Sequence, residues 1–301
     1  MDRLEAMSIL LAVVDSGTLS AGARRLGLPL TTISRRIADL EAHLRTTLLA
    51  RGNRRVALTD AGLSYVAACR RILEDVGEAE RAVAGEYIAP TGNLFITAPV
   101  VFGRLHVLPV ITDFLAAYPD VDIRLRLADR LVNLGEEHID LAVRIGDLPD
   151  SSLVAIRLGT ITRIVCASPA YLASHGMPED PRDLATHACI AFEGLGPDHS
   201  WAFRFGKIEN PVDIRPRLIV NTAEAAVDAA ISGLGLTRVL SYQIAASRRA
   251  GKLVKVLAPY EPAPWPVSLV YANQGLMPVK LRAFLDFAAP RIKAALAADS
   301  D

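Results

Sequence analysis

Lysine is scarce in this chain: five occur among 301 residues, all from Lys207 onward. Cysteine is scarcer, and Cys69, Cys166 and Cys189 are too few and too widely spaced for a disulfide framework or a zinc site. No uninterrupted apolar run approaches the roughly 18 to 20 residues that span a bilayer. The opening MDRLEAMSILLAVVDSG carries Asp2 and Glu5 before a short apolar stretch and has no small-residue cleavage site, so it does not read as a secretory signal. Enzyme signatures are lacking too: there is no GxSxG, no P-loop, no GxGxxG after a strand and no HExxH, and the six histidines are scattered. The expectation is a soluble cytoplasmic protein with no catalytic residues, no cofactor, no metal and no membrane partner.

What is present is a core and an uneven charge. Apolar residues make up 51% of the chain and charged ones 22%, enough for folded domains. Thirty-three basic residues balance thirty-three acidic ones, which excludes a general basic coat for nucleic acid but not a local patch. The patch is at the start. The first 60 residues hold nine arginines against six acids, with Arg24, Arg25, Arg35, Arg36, Arg51, Arg54 and Arg55 clustered. The planar guanidinium suits both phosphate and the edge of guanine.

Residues 3–15 carry apolar side chains at helical spacing and stop at Gly17. Ser20 suits the N-cap of a short second helix with Ala23 and Leu26 on its core face, and Gly27 follows as a turn. Gly22 and Ala23 are small enough to let two helices approach closely. A third helix from about Leu30 to Leu44 places Ile33, Ile37, Leu40 and Leu44 on one stripe, with Thr31, Thr32, Ser34, Arg35 and Arg36 opposite. This is a helix-turn-helix, whose second helix enters the major groove. Leu48–Arg51 and Arg55–Leu58 flank Gly52-Asn53 as a hairpin-like wing tipped by Arg51, Arg54 and Arg55, and Thr59 caps the next helix.

SAGARRLGLPLTTISRRIADLEAHL followed by ARGNRRVALTDAG resembles the N-terminal signature of the LysR-type transcriptional regulators. The resemblance implies DNA contacts from Thr31, Thr32, Ser34 and Arg35 on the recognition helix and from Arg51, Arg54 and Arg55 in the wing. The chain departs from the family pattern at Leu30, often polar there, and at Arg45, usually glycine. TAPVVFGRLHVLP and DLAVRIGDLPDSSLVA resemble the CrgA-like subgroup, with Asn133 where an acid is expected.

Three parts follow: a winged helix-turn-helix domain over 1–59, a linker helix over 60–89, and an effector-binding domain over 90–301. Residues 60–88 contain no proline and read as one helix, in which Val66, Cys69, Leu73, Val76 and Val83 form a heptad seam. Either two chains dimerise on that seam or the helix packs on its own domain. From Gly92 strands alternate with helices, the pattern of a parallel α/β sheet. The resemblance implies a periplasmic-binding-protein-like effector domain of two α/β lobes, lobe one being 90–162 and 266–301 and lobe two 163–265. It also implies a dimer of dimers on an inverted-repeat promoter site in double-stranded DNA.

Strand ends beside helix N-termini are where such sheets hold ligands. Thr97, Ala98, Pro99 and Val100 form one such end, and Asn221 and Thr222 another, although a capping box with Glu224 also accounts for the second. A small organic anion is the expected effector. Arg144 either meets its carboxylate or braces an acid such as Asp129 or Asp147. A solute-binding protein or an enzyme on the same lobes is the alternative, and each would need features this chain does not show.

Overall fold

In the computed structural model the described residues are 2–50, 56–83, 89–130, 133–135, 137–148, 153–193, 199–273 and 277–300. The chain divides into two compact units, Met1–Ile88 and Ala89–Asp301.

The first unit opens with α1 (Arg3–Ser16), capped by Asp2, whose carboxylate accepts from the Leu4 and Glu5 amides, and closed by Gly17 at φ 72°. Helix α2 (Leu19–Leu26) starts two residues earlier than Ser20 suggests. Thr18 is its cap, extended in backbone and accepting the Ala21 amide at 3.0 Å, which leaves Ser20 exposed in the first turn. A Cβ on Gly22 would lie 2.6 Å from Val13 Cγ2, so the close approach of α1 and α2 requires glycine there.

Helix α3 (Leu30–Leu44) buries Ile33, Ile37 and Leu40. Its last turn ends on Arg45 in the left-handed region, φ 53°, with the Arg45 amide reaching back to Ala42 and Glu41 carbonyls. The glycine-type ending is thus kept with a side chain that strains it. Arg45→Gly is expected to raise stability by about 0.5–1 kcal/mol. A urea titration checks it, and an unchanged or lower midpoint would refute the strain.

Beyond α3, Leu49 pairs with Leu58 in a single antiparallel bridge, and the Ala50 amide bonds the Ala57 carbonyl at 2.8 Å. Helix α4 (Asp60–Val83) is described for 24 residues, about 36 Å at 1.5 Å per residue, and residues 84–88 of the expected helix lie outside the described residues. Thr59 caps α4 through the Gly62 amide. Val66 packs with Ala6, Leu10, Leu40 and Leu48, and Cys69 is fully buried. The first half of the heptad stripe is therefore spent inside its own head. Only Leu73 and Val76, both half-buried, carry it onward among residues whose side chains are described.

The second unit holds two five-stranded sheets. The first is built from β1 (Gly92–Ala98), β2 (Val121–Leu127), β3 (Leu141–Ile145), β4 (Leu153–Ile161) and β12 (Trp265–Ala272), in the order β2-β1-β3-β12-β4. The second comprises β5 (Arg163–Ala167), β6 (Cys189–Phe192), β9 (Pro216–Val220), β10 (Leu236–Leu240) and β11 (Val254–Val256), in the order β11-β5-β10-β6-β9. Strands β7 (Ser200–Phe205) and β8 (Ile208–Asp213) form a separate hairpin.

The sheets are mixed, where a parallel one is expected. β12 runs antiparallel to β3 and β4, because the chain leaves the first sheet along β4 and returns beside it, Trp265 opposite Ile161 and Ala272 opposite Leu153. β5 is likewise antiparallel to β10 and β11.

The helix α5 over Val100–Ala117 has the length and apolar content of a membrane span. Here Phe102, Val107, Ile111 and Phe114 are buried on the first sheet, together with Phe284 from α9 (Val279–Ser300). A π-helical turn, Gly103–Val107, interrupts it. The second lobe adds α6 (Pro169–His175), α7 (Ala223–Ile231) and α8 (Ala245–Arg249). Trp201 and Phe203, alternate residues of β7, are buried in that lobe's core.

Candidate nucleic-acid interface and effector cleft

The outward face of α3 carries exposed Thr31, Ser34 and Arg35, with Thr32 half-buried beside them. No side chain caps the helix start at Pro29, so its first turn keeps the positive end of the dipole toward whatever lies ahead. Leu30 is 45% exposed among these polar groups and offers only apolar contact. Arg36 points elsewhere: its Nη2 lies 3.1 Å from Glu5 Oε2 on α1, and its Nε is buried. Arg51, Arg54 and Arg55 lie outside the described residues.

What holds the base of the wing in place is Glu41. One carboxylate oxygen accepts the amides of Leu48 at 2.7 Å and Leu49 at 3.0 Å, and so fastens the strand after α3 to α3 itself. Sequence reasoning counts Glu41 only as an acid. Nothing in local spacing signals a bond seven residues away.

In the second unit the two strand-end turns share one apolar cluster. Ala98, Val101 and Phe102 from the first lobe pack with Ala223, Leu240 and Tyr242 from the second. Arg104 Nη2 sits 3.5 Å from Glu224 Oε1 across the same junction. Burial pushes the Tyr242 phenol up, and the charges of Asp129 and Glu224 push it further.

The predicted contacts are partly engaged already. Thr97 is buried and its hydroxyl donates to the Arg126 carbonyl at 3.0 Å. The Val100 amide donates to Asp129 Oδ1 at 3.0 Å, so the chain's own carboxylate holds the place expected for a ligand's negative end. Thr222 caps α7 through the Ala225 amide at 3.3 Å, and Asn221 and Thr222 are exposed. Arg144 is half-buried, and burial lowers its pKa while the charge of Glu137 opposes that shift. Glu137 also binds Arg126 and Arg130, each at 2.7 Å. Glu137 is thus one acid whose charge acts on Arg144.

A model of the bacterial regulatory helix-turn-helix protein, lysR family, matches residues 4–63, and the LysR substrate binding domain matches 89–293. The chain belongs to the LysR family of transcriptional regulators. This LysR-type regulator is 34% identical over 289 residues to a transcriptional repressor of Pseudomonas aeruginosa, covering 95% of this chain and 91% of that one. It is 32% identical over 287 residues to the regulator CrgA of Neisseria meningitidis, covering 94% and 95%. The solved structure of CrgA superposes with a TM-score of 0.62 at 30% identity over 96% of this chain and 98% of that one. The full-length virulence activator AphB of Vibrio cholerae gives 0.61 at 27% identity over 96% and 99%. The LysR-type regulator thus combines a helix-turn-helix head with a two-lobed α/β effector-binding domain, and its relatives include both a repressor and an activator.

Proposed function

We propose that this regulator reads an inverted-repeat promoter site in cytoplasmic double-stranded DNA as a dimer of dimers, and that a small organic anion bound between its lobes modulates the reading. The observation that carries it is the split face of α3: Ile33, Ile37 and Leu40 are buried, and Thr31, Ser34 and Arg35 are displayed opposite them. An arginine in the second turn of a recognition helix can donate two hydrogen bonds to one guanine edge. Arg51, Arg54 and Arg55 supply phosphate contacts from the wing, and Arg36 contributes by holding α3 on α1 through Glu5.

Pairing of two chains uses α4 beyond the head, where Leu73 and Val76 continue the apolar stripe. A two-fold axis through the pair dictates an inverted repeat. In the effector domain, Asn221, Thr222 and Arg144 receive the anion, and Thr97, Ala98, Pro99 and Val100 form the facing wall.

Arg35→Ala is expected to cost about 1–3 kcal/mol of specific binding and to relax the preference at one base position. Footprinting of native and variant protein across a salt series tests it. Equal footprints would remove α3 from the role of reading helix.

A further inference from the structure

Asp299, in the last turn of α9, has a partner in each lobe. Its Oδ2 lies 3.3 Å from His106 Nε2 on α5, and its Oδ1 lies 3.7 Å from Arg249 Nη2 on α8. Helices α5 and α9 pack on the first sheet, whereas α8 follows β10 in the second lobe. His106 is buried, with the Phe102 ring 4.7 Å away on its own helix and Tyr242, from the second lobe, at 5.5 Å. Its Nε2 makes no aligned hydrogen bond, although Asp299 is near. A cavity of about 200 Å³ lined by Ala245, Arg248, Arg249, Ala298 and Asp299 lies beside the carboxylate and gives it room to turn. His106 also belongs to the π-helical turn, a geometry that recurs at functional sites.

We propose that Asp299 is a proton-responsive strap between the lobes, tied to Arg249 while His106 is neutral and drawn to His106, away from Arg249, once that imidazole is protonated. The groups facing His106 from other elements are Tyr242, from the segment after β10, and Asp299 from α9, while Arg248 and Arg249 of α8 line the cavity on the far side of that carboxylate. Arg249 is 65% exposed, so its pair with Asp299 is screened and weak. An imidazolium buried beside Phe102 has no such screening and takes the nearest anion.

Burial holds the imidazole below the ordinary histidine range, with Asp299 opposing the shift. A depressed base favours the present arrangement above its ordinary value of about 6.5. That contribution is lost as the pH falls from there toward the group's own value, so acid loosens the junction.

Hydrogen–deuterium exchange of the full chain, compared at about pH 7.5 and 5.5 after correction for intrinsic rates, tests the strap. In the native chain, exchange over 100–117 and 241–249 is expected to rise several-fold on acidification. Asp299→Asn should show the raised rate at both pH values, and His106→Phe should show no acid response. Arg249→Gln, an exposed change that leaves the core intact, should be raised at neutral pH and gain little further in acid. An acid response that survives in His106→Phe, a native chain without one, or an Asp299→Asn chain indistinguishable from native would overturn it.

Discussion

Gly62→Ala is expected to abolish DNA binding by unfolding the head. A Cβ built on Gly62 falls 2.1 Å from the Leu48 carbonyl oxygen and 3.0 Å from its carbon. Neither side can yield. Leu48 is fully buried, its amide is held by Glu41 and its carbonyl accepts from Thr59. Gly62 in turn donates to the Thr59 hydroxyl at the start of α4. Overpacking against a flexible side chain costs about 1–3 kcal/mol, and backbone held on both sides belongs at or above the top of that range. Loss of at least about 3 kcal/mol from the first unit is expected, with the effector domain unaffected. Urea unfolding followed by circular dichroism, with a DNA retardation assay alongside, reads both effects. A variant that binds DNA with native affinity would show that Leu48 and α4 can move apart at little cost.

The second large effect is expected in the effector domain. Phe114 is fully buried, its ring centroid 5.0 Å from Phe284 and 5.4 Å from Phe287 on α9, both edge-on, and 4.6 Å from Tyr118. Phe114→Ala removes the ring at the centre of that group and leaves a cavity that α5, fixed along the sheet, cannot fill. A loss of about 3–5 kcal/mol follows from comparable truncations. Because Phe284 and Phe287 lie in the first half of α9, that half should loosen first, while Ile292 and Leu296 hold the end of the helix. Thermal unfolding of the full chain measures the cost, and a change below about 1 kcal/mol would mean that the helices close over the gap.

The two predictions touch parts of the fold that were unequally visible in the sequence. The three helices of the head were legible because their apolar residues recur at the helical period and stop at Gly17 and Gly27. β1, β2, β6 and β12 were legible as apolar or alternating runs bounded by turns. β8 was not, since its residues, Glu209, Asn210, Pro211 and Asp213, favour turns, and it exists only because β7 pairs with it. β11, three residues long, carries too short a pattern to read. The α4 stripe shows a subtler limit. Periodicity reports that a face is covered and not by what, and Val66 and Cys69 are covered by their own head.

The candidate sites divide in the same way. Exposure of Thr31, Ser34 and Arg35 follows from helical phase. The diversion of Arg36 depends on Glu5, thirty-one positions earlier, and the Val100 amide depends on Asp129, twenty-nine positions later. Bonds between side chains and distant backbone leave no local signature, which is why the Glu41 fastening and the Asp129 cap appear only in three dimensions.

The neighbouring crossover strands have a mechanical consequence. The second lobe enters after Ile161 and returns at Trp265, and these two residues are paired across β4 and β12. The chain therefore enters and leaves the insertion through one two-stranded ribbon, with mutual bonds between Thr162 and Ser241 beside it, while the apolar junction and the ion pairs join the lobes by side chains. Twisting that ribbon about its long axis leaves every rung of the first sheet intact, whereas sliding one strand past the other would break the ladder from Trp265 to Ala272 at once. The joint is compliant in torsion and stiff in shear, so rotation about the ribbon's axis costs the backbone ladder least.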